Sequence, residues 1–172
     1  MNQAYERIVL VGFMGAGKTT VGRELARRLG WLFVDLDEEI ERTAGRSVRD
    51  LFRDEGEASF RRRELESARQ AAEQKEVVIA AGGGAFAESE TRAILQAEAA
   101  TVWLRCDLET IFERIGADPS RPLASDRETM RELLEQRQPT YQQALLAVDG
   151  EGAAGPVVDR ITESLRREGE NR

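Results

Sequence analysis

The sequence predicts an α/β fold built on a parallel sheet, within a single domain, and one observation supports each of these two predictions. Short apolar runs alternate along the chain with longer amphipathic segments, as in sheets whose neighbouring strands are joined by helices. The length of 172 residues, with no internal repeats or linkers, suits a single domain spanning residues 1–172.

Five short apolar runs are predicted to be the strands of this sheet. They are residues 7–12, 31–35, 77–81, 100–104 and 146–149. The first has the sequence RIVLVG, which is typical of a fully buried strand, and the fifth is the weakest of the five signals.

The amphipathic segments between the runs are predicted to be helices. They are residues 18–29, a short helix that starts at Ser47, and residues 57–73, 108–115, 127–136 and 156–166. Gly30 is placed to end the first helix, and Ser47 with Asp50 resembles a capping box. Residues 116–126 contain two prolines and are predicted to be a loop.

Composition excludes several classes of function. The chain has 25 Lys and Arg against 32 Asp and Glu, a net charge of −7, which argues against binding to nucleic acid or to an anionic membrane. It has no histidine, so Ser-His-Asp catalysis and histidine metal sites are excluded. One cysteine, and no apolar stretch of the ~20 residues that a membrane span needs, predict a cytoplasmic protein. We also expect a monomer.

Residues 12–19, GFMGAGKT, match the phosphate-loop pattern G-x-x-x-x-G-K-[ST] between a buried strand and an amphipathic helix. The glycines let backbone N–H groups surround phosphates, Lys18 can reach the β- and γ-phosphates, and the Thr19 hydroxyl can bind Mg²⁺. Only Lys18 and Lys75 are lysines among the 25 cations, which adds weight to the match. The alternative is a glycine-rich turn. The predicted ATP contacts here are Gly15, Ala16, Gly17, Lys18, Thr19 and Thr20.

The rest of the chain narrows the class of nucleotide-binding protein. A GTP switch would need an Asn-Lys-x-Asp element, but the only asparagines are Asn2 and Asn171. A small single domain with an N-terminal phosphate loop is most often a kinase of a small molecule, with ATP as co-substrate.

Asp35 and Asp37 lie at the carboxyl end of the second predicted strand, at the edge of the sheet where ligands of open α/β folds bind. One carboxylate can position hydrated Mg²⁺, and the other can accept a proton from an acceptor hydroxyl. The alternative is that Asp37 caps a helix that begins at Glu38.

Arg61 differs from its neighbours Arg62 and Arg63 because its helical position coincides with an apolar stripe. The stripe consists of Ala58, Leu65, Ala68 and Ala72. An arginine on such a stripe is costly unless an anion meets it, so Arg61 is a candidate for binding a substrate carboxylate.

Arg137 shows the same pattern, since it follows Met130 and Leu134 and precedes Tyr141, although Pro139 can begin a new helix there. Two inward arginines can hold one carboxylate. For each of them, an internal ion pair or a side chain extended to solvent is the alternative.

Two loops complete the candidate site. Gly82, Gly83 and Gly84 follow the third strand and permit a ligand to approach the backbone closely, or else form only a tight turn. Arg121 lies between Pro119 and Pro122, where a cation on a closing lid can cover the γ-phosphate.

These residues occur in the order found in shikimate kinases, which the chain resembles. The matching segments are GFMGAGKTTVGRELARRLG (12–30), FVDLDEEIE (33–41), GRSVRDLFRDEGEASFRRRE (45–64), AAGGGA (80–85), SRPL (120–123) and QRQPTY (136–141). The resemblance implies a three-layer P-loop kinase fold with an open five-stranded parallel sheet, a lid at about residues 116–126 and a substrate-binding segment at about residues 35–63. It also implies phosphoryl transfer from MgATP to the 3-hydroxyl of shikimate, a step toward chorismate and the aromatic amino acids.

The resemblance further implies roles for individual residues. Lys18 and Arg121 would stabilise the transferring phosphoryl group, Thr19 and Asp35 would hold Mg²⁺, and Asp37 would be the candidate base. Shikimate would lie between Asp37, Arg61, Arg137 and the backbone of residues 82–84. Adenine contacts would come from Arg114 and the loop at residues 150–156.

Other functions stay open at this point. A gluconate kinase or a nucleoside monophosphate kinase of similar fold is the nearest alternative, and a paired-arginine site favours an acid over a nucleotide as acceptor. A non-catalytic nucleotide-binding regulator is the alternative from a different class.

Overall fold

The computed structural model describes residues 5–115 and 127–170 and confirms the predicted α/β class. Five parallel strands form one sheet in the order β2-β3-β1-β4-β5. The strands are β1 (Arg7–Val11), β2 (Leu32–Asp35), β3 (Val77–Ala80), β4 (Ala100–Arg105) and β5 (Leu146–Asp149).

The central strand β1 divides the core into two apolar layers. Val9 and Val11 belong to one cluster of buried residues, and Ile8 and Leu10 belong to another. Because side chains alternate between the faces of a strand, this division shows that both faces of the sheet are covered. The structure therefore has the three predicted layers, a central sheet with helices on both faces, and the centre of the sheet is buried.

Eight helices are present in the described part of the chain. They are α1 (Lys18–Leu29), α2 (Leu36–Ala44), α3 (Val48–Glu55), α4 (Glu57–Ala72), α5 (Ser89–Gln96), α6 (Leu108–Ile115), α7 (Arg127–Tyr141) and α8 (Ala154–Glu170). The predicted helix ends at Gly30 and Ser47 are confirmed: Gly30 is left-handed at φ 70°, and the Ser47 side chain accepts from Asp50 N. None of the described helices is long and apolar enough to cross a membrane.

The predictions for four helices were incomplete or wrong. Helix α5 was not predicted. Helix α2 was considered only as a helix beginning at Glu38, but it begins at Leu36, directly at the end of β2 without a turn. Helix α7 continues past residue 136, with Pro139 inside it, because Tyr141 is fully buried and anchors its last turn in the core. Helix α8 is longer at both ends than residues 156–166.

The parallel strands bring five loops to one edge of the sheet, where their carboxyl ends lie. The phosphate loop follows β1, helix α2 follows β2, and the three consecutive glycines come just after β3. The predicted lid at residues 116–126, including Arg121, lies outside the described residues.

Candidate active site

A cleft of about 1480 Å³ opens at this edge of the sheet and extends from the phosphate loop to helices α3 and α4. Its walls include most of the predicted site residues. They are Gly15, Gly17, Lys18, Thr19, Thr20, Asp35, Asp37, Arg61, Gly82, Gly83, Gly84, Arg114 and Arg137. Ala16 is fully buried beneath the loop and does not line the cleft.

The phosphate loop presents the start of α1 to this cleft. Gly17 is the N-cap residue at φ 91°, a left-handed conformation that glycine adopts without strain, and it has no side chain to cap the helix. The first turn of α1 contains no acidic residue, so its N–H groups and the helix dipole favour an anion there. The Lys18 ammonium donates to the carbonyls of Gly12 (2.9 Å) and Phe13 (2.8 Å), which holds it across the loop.

Thr19 and Asp35 lie together beside the loop. The Thr19 hydroxyl donates to Asp35 Oδ2 at 2.5 Å, so two hard oxygen atoms from α1 and β2 converge. Mg²⁺ in kinases is typically bound by one or two such groups together with phosphate oxygens and water. Among the described residues there is no group of three or more His, Cys, Asp or Glu side chains that could hold a metal ion.

Asp35, rather than Asp37, caps helix α2. Asp35 Oδ1 accepts from the backbone N–H groups of Asp37 (3.0 Å) and Glu38 (3.3 Å), as an N-cap side chain does. The helix-capping role considered as the alternative for Asp37 is therefore performed by Asp35. The Asp37 side chain instead lies against Gly82: a Cβ added at Gly82 would be 2.8 Å from Asp37 Oδ1.

The three consecutive glycines each face one predicted substrate-binding side chain. Gly82 faces the Asp37 carboxylate; a Cβ at Gly83 would lie 3.4 Å from Arg137 Nη1; and a Cβ at Gly84 would lie 2.7 Å from the Arg61 guanidinium nitrogens. The same Cβ at Gly83 would be 3.4 Å from Met14 N, which belongs to the phosphate loop. Residues 82–84 thus form the floor on which α2, α4, α7 and the phosphate loop meet.

Arg61 has three carboxylates near its guanidinium, of which Glu64 is buried and Glu57 and Glu88 are exposed. Its Nη1 donates to Glu64 Oε2 at 2.7 Å, its Nη2 lies 3.2 Å from Glu57 Oε1, and its Nε lies 3.8 Å from Glu88 Oε1. The Arg61 side chain is 20% exposed, whereas that of Glu64 is 1% exposed. Burial raises the pKa of Glu64, and the Arg61 hydrogen bond only partly offsets this.

The stripe predicted for α4 was placed incorrectly. Ala58 is exposed, and the buried face consists of Phe60, Glu64, Ser67, Ala68 and Ala71. Arg61 lies at the edge of this face, while Arg62 and Arg63 are exposed. The internal ion pair that was the alternative for Arg61 is present, and one side of the guanidinium still lines the cleft.

Arg137 has different surroundings. Its guanidinium carbon lies 5.8 Å from the centre of the Phe13 ring, within the range of a cation–π contact. Within residues 5–115 and 127–170, no carboxylate lies at ion-pair distance from Arg137. The charge of Arg137 is therefore balanced less by the protein than that of Arg61.

Two residues that support the site were missed by the sequence analysis. Glu64 could have been found because it lies three positions after Arg61, on the same side of the helix. The Tyr141 hydroxyl donates to Gly83 O at 2.5 Å and secures the glycine loop, and burial raises the pKa of Tyr141 to about 12. No local pattern links Tyr141 to Gly83, since 58 positions separate them.

Arg114 lies at the opposite end of the cleft from Arg61. Its Nη1 donates to Gly15 O at 3.2 Å, and its Nη2 contacts the carbonyls of Gly150 (3.3 Å) and Gly152 (3.5 Å). Arg114 therefore joins the phosphate loop to the loop after β5, in the region where adenine contacts were predicted.

Comparisons with known proteins agree on one family. The family model for shikimate kinase matches residues 14–166. A shikimate kinase from Persephonella marina is 42% identical over 161 residues, covering 92% of this chain and 98% of the relative. A solved shikimate kinase from Acinetobacter baumannii, in complex with shikimate, superposes with a TM-score of 0.91 at 36% identity and covers 96% of each chain.

A more distant structure shares only the fold. A gluconokinase from Sinorhizobium meliloti superposes with a TM-score of 0.64 at 22% identity, covering 99% of this chain and 97% of that one. This likeness supports the predicted P-loop kinase fold and carries no information on the acceptor.

Proposed function

The chain belongs to the shikimate kinase family, the ATP-dependent kinases that phosphorylate a hydroxyl of shikimate, and we propose how its cleft performs this reaction. The γ-phosphoryl group of ATP is transferred to the 3-hydroxyl of shikimate, which gives shikimate 3-phosphate and ADP. The observation that supports this most strongly is the run of three glycines against Asp37, Arg137 and Arg61. One carboxylate and two guanidiniums around a close-fitting backbone are complementary to an acid that also carries hydroxyls.

The phosphate loop would bind the donor. The N–H groups at the start of α1 and the Lys18 ammonium would neutralise phosphate oxygens, and this charge stabilisation is the main requirement of phosphoryl transfer. Thr19 would bind Mg²⁺ directly and Asp35 through water. When bound, Mg²⁺ screens the phosphate charge during transfer. Arg121 would add positive charge from the lid, in a part of the chain outside the described residues.

Asp37 would orient the acceptor and remove its proton. As the 3-hydroxyl oxygen forms a bond to the γ-phosphorus and the bond to ADP breaks, the hydroxyl proton passes to the Asp37 carboxylate. Gly82 is required beside it, because a larger residue would occupy the space next to the carboxylate. Arg61 and Arg137 would bind the shikimate carboxylate and so direct the ring toward Asp37. All of these groups come from one chain, so we propose that a monomer is sufficient.

A coupled ADP-release assay with shikimate, gluconate and AMP as acceptors tests this proposal. We expect ADP release to be stimulated by shikimate, and Asp37→Asn to lower kcat by about 10²-fold to 10⁴-fold while ADP still binds. Stimulation by gluconate or AMP but not by shikimate would overturn it. A chain that binds ATP without phosphorylating any of the three would instead be the non-catalytic regulator.

A further inference from the structure

The loop between β5 and α8 is held from two sides by arginines. The carbonyls of Asp149 and Glu151 accept from Arg160, at 3.0 Å from Nε and 2.5 Å from Nη2. The carbonyls of Gly150 and Gly152 accept from Arg114. Successive carbonyls of an extended backbone point to opposite sides, so each arginine takes alternate residues.

The two arginines have different positions relative to the cleft. Arg114 lies in the cleft wall and also donates to Gly15 O of the phosphate loop. Arg160 is on α8, behind the loop, and is not part of the cleft wall. A change in the position of the loop would therefore reach both Arg114 and the part of the cleft next to the phosphate loop.

In the described part of the chain, the other hydrogen bonds of this loop include a local one, from Glu151 N to Asp149 Oδ1 at 2.9 Å. Gly150 N donates to Arg105 O at 2.8 Å, and the Glu151 carboxylate accepts from Asp107 N at 3.2 Å. The following Gly152 and Ala153 are exposed, and Gly152 is at φ 94°. An exposed loop with little buried apolar surface is ordered mainly by the hydrogen bonds that its backbone makes. Arg160 donates two of these bonds.

We propose that Arg160 is a positioning residue for the nucleotide base. By holding the carbonyls of Asp149 and Glu151 it keeps the loop, and with it Arg114, in the arrangement that accepts the base of ATP. This inference rests on the proposed function in one respect, namely that the cleft beside the phosphate loop binds ATP. Without Arg160 the loop must become ordered each time the nucleotide binds, which weakens binding of the base and leaves binding of the phosphates unchanged.

The test compares Arg160→Met with Arg166→Met, a matched control on the same helix. Arg166 is exposed, and its ion pairs are with Glu163 and Glu170 only, within the described residues. Methionine is a good helix former, so both variants keep α8 intact. Calorimetry measures the binding of ADP and of inorganic tripolyphosphate, which occupies the phosphate loop without a base. Steady-state assays measure KM for ATP and for shikimate.

For Arg160→Met we expect the ADP dissociation constant and the KM for ATP to rise about fivefold to twentyfold. Tripolyphosphate binding, the KM for shikimate and kcat should stay within about twofold of the wild type. Arg160→Lys should resemble Arg160→Met, because one ammonium cannot replace the planar fork that bonds two carbonyls. A merely structural role would weaken ADP and tripolyphosphate equally, and would overturn the inference.

Equal ADP binding by Arg160→Met and Arg166→Met would also overturn it. The calorimetric comparison is independent of catalysis, so it decides the role of Arg160 even if shikimate does not stimulate ADP release. A failure of shikimate to stimulate ADP release would count against the proposed function and not against the role of Arg160.

Discussion

The two halves of the cleft are built in different ways. The phosphate-binding part of the nucleotide half consists of consecutive residues, 12–19, and the groups it offers to phosphates are backbone N–H groups and one lysine. The acceptor half consists of Asp37, Arg61, residues 82–84 and Arg137, which come from α2, α4, the loop after β3 and α7. The phosphate-binding part needs little from the rest of the fold beyond a buried strand and a helix. The acceptor half, like the Arg114 end of the nucleotide half, exists only when separate segments pack together.

The halves also differ in how charge is balanced. In the nucleotide half, the positive potential comes from a helix N-terminus and Lys18. In the acceptor half, a buried glutamate, Glu64, partly neutralises Arg61. An ion pair of this kind orients the arginine at the cost of part of its charge. We therefore expect loss of Lys18 to affect catalysis, and loss of Arg61 to affect both shikimate binding and stability.

Apart from the loss of kcat expected for Asp37→Asn, the largest effect is expected in the nucleotide half. Lys18→Met should lower kcat by about 10²-fold to 10³-fold, because the positive charge that we propose stabilises the transferring phosphoryl group is lost. The melting temperature should be nearly unchanged. Lys75→Met is the matched control, since Lys75 pairs with Glu6 at the surface and should keep full activity. Equal kcat values for the two variants would contradict the role given to the phosphate loop.

A methyl group in the acceptor half should have the next largest effect. In Gly82→Ala the Cβ would be 2.8 Å from Asp37 Oδ1, so the carboxylate must move, and a shift of about 1 Å can cost about 10²-fold in kcat/KM for shikimate. Gly83→Ala is the control from the same loop, because its Cβ would be 3.4 Å from the guanidinium of Arg137. Neither glycine has a positive φ, so the comparison measures space alone. Equal losses for the two would show that the loop tolerates no side chain at either position.

The two arginines of the acceptor half should differ from each other. Arg137→Met should raise KM for shikimate by at least about tenfold, and more than Arg61→Met does, because carboxylates already balance part of the Arg61 charge. Arg62→Met should leave KM unchanged, since Arg62 is exposed. The KM for ATP should be unchanged in all three arginine variants, because it reports on the nucleotide half of the cleft and not on the acceptor half. A larger effect from Arg61→Met would mean that orientation by Glu64 outweighs the loss of charge.

The smallest effect concerns stability and its dependence on pH. Burial raises the pKa of Glu64 above its value in the unfolded chain. The folded protein therefore binds the Glu64 proton more tightly, and this contribution to stability is complete below the unfolded pKa and is lost as pH rises through the folded one. Arg61→Met removes the guanidinium charge that lowers the pKa of Glu64 and so opposes the effect of burial. Its melting temperature should therefore fall further below that of the wild type at pH 8 than at pH 5.

Glu64→Gln in the same background provides the control. The melting temperature of the double variant Arg61→Met with Glu64→Gln is compared with that of Glu64→Gln alone. The difference between these two melting temperatures should not depend on pH, because no titrating group is left in the buried position. Thermal unfolding at several pH values from 4.5 to 8 measures these melting temperatures. A difference between Arg61→Met and the wild type that does not change with pH would indicate that Glu64 is not the group responsible.

Much of the fold follows from local patterns in the chain. The five strands and the start and end of α1 were predicted closely, because burial of short apolar runs and helix capping depend on neighbouring residues. Helix α7 was predicted to be too short, since Pro139 is a local stop signal that the distant anchor of Tyr141 overrides. The apolar stripe of α4 was displaced for a related reason, as its buried face includes Glu64, which hydrophobicity alone would place outside.

The phosphate loop, the α/β class and the side chains available for chemistry can be read from the amino-acid order without a structure. These depend on consecutive residues or on periodicity, which a linear chain displays directly. Packing in three dimensions was needed to show that Asp35 caps α2 while Asp37 faces Gly82, that the pair of Glu64 and Arg61 is buried on its Glu64 side, and that Tyr141 supports the glycine loop. The Tyr141 hydroxyl reaches the Gly83 carbonyl across 58 positions of the chain, through a shared interior. Glu64 has its partner on the same helix, but the packing around α4 decides that it is buried. Both contacts depend on packing and on the need to satisfy buried polar groups, and neither requirement is written in any one segment.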